Sequence, residues 1–483
     1  MSQTSLESPL SLRIGNTNPI DDLDPQNASD SCGILVQLQL YQGPYTATER
    51  GIVPSLLAEP LRQVSQSPRR YEAPVRPDVR FSDGERLTAG HVAASLVRSR
   101  RLGSHIQVEV VGGRLAVTVA DASLDPTYML STVYCHVARR VDARWLGTGP
   151  YQLARDSTPE QLRLTVNPYY RGPAPRVPEI LVTAYPGQHG DETRGLAQAV
   201  RAGRVDFTNM LPMDALPDLP HIRRRYEPEA STAVLWINTR RVPDRNRRRA
   251  LAMAIDRDEV GRSCHRLPTR YVAAGLLPPS LVQQPPAGGA LPHDLERARS
   301  LLAEAGRPPG PLDMLVIWGP RLYMPQPRRT AECIRQMLDK IGVTVNIRET
   351  TSAGEYLDAI RRGDYDLVLG GWSADDTDAA GFLSAFCHSD MIPDRQEAVT
   401  LGCNFSRWCD ARMDRLLAQY RDGRLDETLE HITGLIASES VVVPLSHGAQ
   451  VFTVGPRVRW FDSDPLGHVD LSAFALTTEL AAS

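Results

Sequence analysis

The chain has 483 residues, of which 42% are hydrophobic and 23% are charged, and its formal net charge at pH 7 is −3. This composition is typical of a globular protein, and the length favours two or three lobes over a single core. The near-neutral charge gives no reason to expect a nucleic acid or an anionic membrane as a direct partner.

The N-terminal segment and the cysteines bear on the compartment in which the protein works. The opening sequence, MSQTSLESPLSLRIG, lacks a positive leader and an apolar core, so it does not predict a secretory signal. No window approaches 18 uninterrupted apolar residues, and no membrane insertion is expected. Seven scattered cysteines suit a reducing compartment. As written, the sequence predicts a cytoplasmic protein, whereas a true start further upstream would make it an exported one.

The first half of the chain is predicted to be rich in strands and turns. At 79–96 the sequence VRFSDGERLTAGHVAASL predicts a strand, a turn at Asp83-Gly84 and a helix that Thr88 caps. Further strands are predicted at 12–15, 162–166 and 180–183, of which the last two are expected to pair.

The second half is predicted to alternate helices and strands. The basic run Arg240–Arg249 is expected to form a solvated loop and a first helical turn. After it come a helix from His293 to Ala305, a strand at 314–318, an amphipathic helix that ends at Gly342 and a strand at 343–347. This alternation predicts an α/β fold with a mixed or mostly parallel sheet, in which ligands bind beyond the carboxyl ends of the strands.

The segment 370–383, GGWSADDTDAAGFL, is the main candidate for a ligand site. It directly follows a strand-like apolar run at 367–369, which we expect to end where the acidic turn begins. Carboxylates beside an indole can pair with an ammonium group while an apolar side chain packs on the ring. A solvated turn remains the alternative, because Asp favours turns for local hydrogen-bonding reasons. The candidate ligand-binding residues are Asp375, Trp372, Asp378 and Asp376.

No motif for catalysis or for a cofactor is present. The sequence lacks a G-x-S-x-G elbow, an H-E-x-x-H motif, a P-loop and a dinucleotide fingerprint. His447 is expected to be a hydrogen-bonded core histidine. A zinc site from Cys387, His388, Cys403 and Cys409 would have spacings that match no standard pattern. We therefore predict no catalytic residue, no metal site and no cofactor, and an enzyme stays possible only because fold does not fix function.

Several segments, taken together, resemble the family 5 solute-binding proteins, the peptide-binding components of ABC importers. The likeness to the dipeptide and Sap-type branch spans nearly the whole chain. It is carried by FSDGERLTAGHVAASL at 81–96, GTGPYQL at 147–153, NPYYRG at 167–172, and the segments 233–260, 323–347, 371–387 and 404–414.

The resemblance implies a type II periplasmic-binding fold with three lobes. The ligand would lie in a cleft between the two main lobes and be enclosed by hinge closure. An Asp in the family's G-W-x-x-D motif pairs with the α-ammonium of the ligand, and Asp375 occupies that position. The implied lobes are 1–38, 148–230 and 448–483 for lobe I, 39–147 for a small lobe II, and 231–447 for the ligand-binding lobe III.

A second likeness points to the ligand-sensing half of bacterial sugar-phosphate-stress regulators of the SgrR type. It is carried by the segments 104–119, 147–158 and 443–452. The first resemblance also implies that Cys387 and Cys409 match positions that form a disulfide in exported relatives. In a reducing cytoplasm both would stay thiols.

Three functions follow as hypotheses. The first is a solute-binding protein of the ABC-transport type that recognises a short peptide or a similar amine-bearing small molecule, with an ABC permease as partner. The second is a cytoplasmic regulator lobe that works with a separate DNA-binding protein. The third is a biosynthetic enzyme that has reused this fold. In each case we expect a monomer.

Overall fold

The structure is a computed structural model that divides into two compact units. Unit 1 comprises Met1–Glu227, Asp375–Thr377 and Val451–Ser483, and unit 2 comprises Pro228–Ala374 and Asp378–Gln450. No helix in the described part of the chain is both long enough and apolar enough to cross a bilayer. The structure describes residues 11–27, 31–48, 51–99, 102, 106–119, 125–142, 144–187, 193–211, 222–265, 271–282, 286, 289–306, 310–317, 321, 323–350, 353–374, 376–393, 403–423, 426–461, 463–464 and 466–477.

Strands and helices occur in both units. The strands are β1 Ser11–Asn16, β2 Tyr45–Thr48, β3 Gly51–Pro54, β4 Arg62–Gln66, β5 Arg69–Ala73, β6 Ile106–Val111, β7 Arg114–Val119, β8 Arg139–Val141, β9 Arg144–Leu146, β10 Tyr151–Leu153, β11 Gln161–Val166, β12 Glu179–Ala184, β13 Phe207–Thr208, β14 Arg223–Ile237, β15 Leu312–Val316, β16 Val345–Glu349, β17 Leu367–Ser373, β18 Val442–Val454, β19 Val458–Trp460 and β20 Ala475–Leu476. The helices are α1 Ser31–Leu40, α2 Ala89–Val97, α3 Pro126–Met129, α4 Arg194–Arg201, α5 Arg245–Ala254, α6 Arg257–Val260, α7 Leu295–Ala305, α8 Pro327–Asp339, α9 Ala353–Arg362, α10 Ala379–Cys387, α11 Ala411–Gly423 and α12 Asp426–Glu439.

Unit 1 is built on a mixed sheet with the strand order β10-β11-β12-β1-β13. Next to β13, the last residues of β18 complete this part of the sheet. β11 and β12 pair antiparallel, as predicted, and β12 pairs parallel with β1. The alternating apolar residues of β1, Leu12 and Ile14, are buried. They join a core in which Phe207 stacks on Phe452 at 5.5 Å between ring centroids.

A second core in unit 1 lies beneath the sheet β4-β5-β7-β6 and helix α2. The predicted cap is confirmed, since the Thr88 hydroxyl accepts a hydrogen bond from the His91 amide at 3.3 Å. Gly84 forms the predicted turn with φ +91°, a backbone conformation that favours glycine. The predicted strand before it is reduced to an isolated bridge between Arg80 and Arg86.

Unit 2 contains the strand order β18-β14-β17-β15-β16. β15 is parallel to both β16 and β17, whereas β17 is antiparallel to β14. The predicted mixed α/β sheet is therefore confirmed. Helices α5, α7, α8, α10, α11 and α12 contribute apolar side chains to one continuous core.

Several predicted boundaries in unit 2 were wrong. Helix α7 begins at Leu295 rather than His293, because the Asp294 carboxylate caps it by accepting from the Arg297 amide at 2.8 Å. The strands predicted at 314–318 and 343–347 are β15 Leu312–Val316 and β16 Val345–Glu349. Strand β17 continues beyond the apolar run 367–369 to Ser373, paired with β14 throughout. The finer division into three lobes stays a prediction.

Candidate functional site

Polar side chains from the middle of β14 and from the carboxyl ends of β15 and β17 lie near one another in unit 2. Ser231 lies opposite Ser373, and Thr232 lies opposite Trp372. Opposite residues of antiparallel strands point to the same face, so each pair shares one side of the sheet. The two pairs lie on opposite faces, because successive side chains of a strand alternate. We call this group the strand-end cluster, which consists of Glu229, Ser231, Thr232, Arg321, Tyr323, Trp372, Ser373 and His447.

The Glu229 carboxylate is held by hydroxyl groups of both strands. Its Oε2 accepts from Ser231 Oγ at 2.9 Å, and its Oε1 accepts from Ser373 Oγ at 3.4 Å. A carboxylate has about four lone-pair sites. The two hydroxyl groups therefore orient the carboxylate between β14 and β17.

Two glycines allow the backbone to approach these groups closely. A Cβ atom at Gly448 would stand 2.5 Å from Glu229 Oε2 and still closer to Ser231 Oγ. A Cβ atom at Gly371 would stand 2.6 Å from the Tyr323 ring and would also meet the Thr232 carbonyl oxygen. Both separations are shorter than van der Waals contact, so a side chain at Gly371 would clash with backbone and ring atoms, and one at Gly448 would displace the Ser231 and Glu229 side chains.

The Tyr323 hydroxyl lies near two side chains of opposite charge, Arg321 and Glu229. Its hydroxyl donates to the Gly371 carbonyl at 3.2 Å. Burial raises the pKa of Tyr323, while the charge and hydrogen bond of Arg321 lower it and the charge of Glu229 raises it. A guanidinium and a carboxylate thus both act on one phenol.

His447 is a buried, neutral member of the cluster. Its Nδ1 lies 3.0 Å from Thr232 Oγ1, which donates its own proton to the Leu276 carbonyl at 2.9 Å. Because its one hydroxyl proton is used in this way, Thr232 Oγ1 can only accept a hydrogen bond from His447. The proton of the neutral imidazole therefore lies on Nδ1. Burial lowers the pKa of His447 to about 4, with a backbone hydrogen bond at Ser231 opposing the shift. The prediction of a hydrogen-bonded core histidine is confirmed.

The structure places three of the four predicted ligand-binding residues. Trp372 is half-buried and packs against the core of unit 2. Asp378, only 7% exposed, caps α10 by accepting from the Ala380 amide at 3.1 Å. Asp376 is half-buried, and Asp375 lies outside the described residues. A ligand contact from any of the four stays a prediction.

The cysteines and acidic residues form no metal site in the part of the chain that the structure covers, where no cluster of three or more suitable side chains occurs. Cys387 carries a free, buried thiol, and burial raises its pKa. Cys403 is also buried, and both its burial and the nearby Cys387 raise its pKa. Cys409 is exposed.

Unit 1 contains a separate cavity of about 520 Å³. Its described lining includes Asp464 and Asp470 but neither lysine nor arginine. His136, which also lines it, is buried, and its Nδ1 has no hydrogen-bond partner among the residues that the structure describes. Burial lowers the pKa of His136 to about 3, and the charge of His468 acts in the same direction. This cavity lacks the paired opposite charges of the strand-end cluster.

Trp372 is the one cluster member that was also a sequence-based ligand candidate. Among the members that were missed, Glu229 lies within β14, just before the run ASTAVLWI, and Arg321 and Tyr323 follow the carboxyl end of β15. Polar residues just beyond strand ends are the expected ligand contacts in such sheets. Applied to β15 as well as β17, the same rule predicts Arg321 and Tyr323.

Comparison with known proteins gave matches of sequence and of structure. The family described as "Bacterial extracellular solute-binding proteins, family 5 Middle" matches residues 135–393. A probable di/tripeptide-binding protein 5 of Pseudomonas aeruginosa is 27% identical over 348 residues, 68% of this chain and 62% of that protein. The dipeptide-binding protein of Escherichia coli is 24% identical over 362 residues, 72% of this chain and 66% of that protein.

The aligned region therefore spans less than two thirds of either relative. Among solved structures, HbpA2 from Haemophilus parasuis superposes with a TM-score of 0.80 at 20% identity. That superposition covers 97% of this chain and 99% of the other.

Proposed function

Because the chain belongs to family 5 of the bacterial extracellular solute-binding proteins, in its dipeptide/Sap-type branch, we propose that it binds a short peptide through the strand-end cluster. Membership in the family confirms the resemblance seen in the sequence. The structural neighbours confirm the type II periplasmic-binding fold.

The observation that carries the proposal is the pair of opposite charges around Tyr323. A peptide with free ends has an ammonium group at one end and a carboxylate at the other. Glu229 supplies a negative partner and Arg321 a positive one. A guanidinium can bind a carboxylate through two parallel hydrogen bonds, and an ammonium group has three donors to distribute. The same cluster thus matches both ends of a zwitterion.

Trp372 and Asp375 complete the proposed site. Trp372 lies on the face of the sheet opposite to Ser373 and the Glu229 carboxylate, so its half-buried indole would contact a part of the peptide other than the ammonium group. The resemblance to the family gives Asp375 as the partner of the α-ammonium, and we propose it as a ligand contact on that ground.

The partner follows from the family. Family 5 solute-binding proteins bind peptides and work with ABC permeases, and the relatives named above are called di/tripeptide-binding and dipeptide-binding proteins. We propose that this protein delivers its peptide to such a permease. A regulatory partner and a monomeric state stay predictions from the sequence.

Isothermal titration calorimetry with a panel of dipeptides and tripeptides tests the proposal. For a peptide that binds, N-acetylation or C-terminal amidation should weaken binding by about tenfold to hundredfold, since a hydrogen bond to a charged group contributes about 1.5–3 kcal/mol. Glu229→Gln should weaken binding of the free peptide and leave binding of the N-acetylated peptide almost unchanged.

A matched control is Glu304→Gln, which changes a carboxylate on the outer face of α7. It should bind like the parent protein. The proposal fails if no peptide of the panel binds, or if free and N-acetylated peptides bind equally well.

A further inference from the structure

Two cysteines that are far apart in the sequence meet inside unit 2. Cys264 lies in the π-helical turn Gly261–His265 that follows α6, and Cys333 lies on α8. The Cys264 Sγ contacts the Arg329 carbonyl at 3.8 Å, one helical turn before Cys333. The two thiols lie close enough that each changes the pKa of the other. Both residues belong to the packing of the unit 2 core.

The two thiols differ in access to solvent. Cys264 is 1% exposed, whereas Cys333 is half-buried at the surface of α8. A small reagent from solution can therefore reach Cys333 first. Cys264 would stand behind it as the second thiol, already in contact.

The surroundings also favour an anionic sulfur on Cys264. The hydrogen bond from Cys333 lowers the pKa of Cys264 and outweighs the opposing effect of burial. The Ser263 and Thr330 side chains and the charge of Arg329 lower it further. The buried thiols of Cys135 and Cys387 differ, because burial raises their pKa values. A thiolate is the nucleophile in disulfide exchange, so Cys264 is suited to attack a neighbouring sulfur.

We propose that Cys264 and Cys333 form a reversible dithiol–disulfide site that reacts with a low-molecular-weight disulfide such as glutathione disulfide. The Cys333 thiol gives its proton to the Cys264 thiolate as its sulfur attacks one sulfur of the reagent, which forms a mixed disulfide and releases one glutathione thiolate. That glutathione thiolate takes up the proton, and the Cys264 thiolate then attacks Cys333 Sγ, forms the bond between the two cysteines and releases the second glutathione thiolate. The protein gives up two electrons and two protons, which convert glutathione disulfide into two glutathione thiols.

The bond would connect the turn after α6 to α8 and close a loop of about 70 residues. Residues on these two elements could then no longer separate. The site does not depend on the identity of the peptide ligand, because none of its residues belongs to the strand-end cluster.

The test uses the full chain in its native state. Reduced protein is incubated with excess glutathione disulfide, quenched with acid, alkylated and mapped by mass spectrometry. The peptide pair linking Cys264 and Cys333 should exceed any other linked cysteine pair by about tenfold or more, because contact gives one thiol a high effective concentration at the other. Added dithiothreitol should remove the link.

Variants separate the two roles. Cys264→Ser should stop at a glutathione adduct on Cys333, and Cys333→Ser should abolish the link. Cys135→Ser, which removes a buried thiol elsewhere, should leave the link unchanged. The proposal is overturned if the native parent protein carries only glutathione adducts, if neither cysteine reacts, or if the link forms only in urea.

Discussion

The buried imidazole of His447 makes a quantitative prediction about stability and pH. In an unfolded chain His titrates near pH 6.5. In the folded protein the pKa of His447 is lowered to about 4 by burial. Between these values the unfolded chain binds a proton that the folded chain does not, so acidification favours unfolding. The loss begins as the pH falls through about 6.5 and levels off below about 4.

The size of the effect follows from the two pKa values. Each pH unit in this window corresponds to about 1.4 kcal/mol, so moving from pH 7 to pH 5 should cost about 2 kcal/mol for this one histidine. His136 in unit 1, whose pKa is lowered to about 3, should cost a similar amount. The parent protein should therefore lose about 4 kcal/mol in total over the same interval.

His447→Asn is the decisive variant. The asparagine side-chain amide can still donate to Thr232 Oγ1, as the imidazole Nδ1 does at 3.0 Å, but it does not titrate. Urea unfolding at pH 7 and pH 5, at equal ionic strength, should show that the variant loses only about half as much stability as the parent. Equal losses in the two proteins, or an NMR titration of His447 with a midpoint near 6.5, would refute the reasoning.

Three further predictions concern the site and the thiols. Asp375→Ala should weaken peptide binding by about tenfold or more, since removal of a charge-assisted partner costs about 2–5 kcal/mol. The melting temperature of the ligand-free protein should stay nearly constant. Asp376→Ala, measured in the same calorimetric series, should have a smaller effect on binding. Gly371→Ala should destabilise unit 2 by about 1–3 kcal/mol because the added methyl group overpacks the Tyr323 ring, and thermal unfolding that matches the parent would contradict this. If the protein works in the cytoplasm, rapid alkylation of intact cells should trap Cys387 and Cys409 as thiols. A recovered disulfide between them would indicate export; it would close a loop of about 23 residues and add about 3 kcal/mol to the stability of the fold.

The sequence predicted the elements whose hydrophobic pattern is strong. The alternation in β11 and the apolar stripe of α8 identify their types because burial of one face dominates their stability. The extension of β17 through Gly370 to Ser373 could not be predicted in this way, since two successive glycines have a low strand propensity. Its backbone pairing with β14 overrides that local preference.

The burial and the ion pairs of charged residues are also difficult to predict from the sequence. The basic run Arg240–Arg249 was expected to be solvated, yet Arg248 is only 4% exposed. Its guanidinium donates to the Glu439 carboxylate at 3.0 Å and to the Pro243 carbonyl at 2.7 Å. Such partners come from distant segments, as Glu229 and Arg321 do in the strand-end cluster, and periodicity along the chain does not reveal them.

The paired register of β14 and β17 restricts how this site can diverge among relatives. Because side chains alternate between the faces of a strand, inserting or deleting one residue within 367–373 would carry Trp372 to the opposite face and separate it from Thr232. Ser231 and Ser373 would lose their shared position around the Glu229 carboxylate in the same step. New ligand preferences should therefore arise by exchange of side chains at constant strand length, and a library designed to alter selectivity should vary residue identity in these strands and keep their lengths fixed.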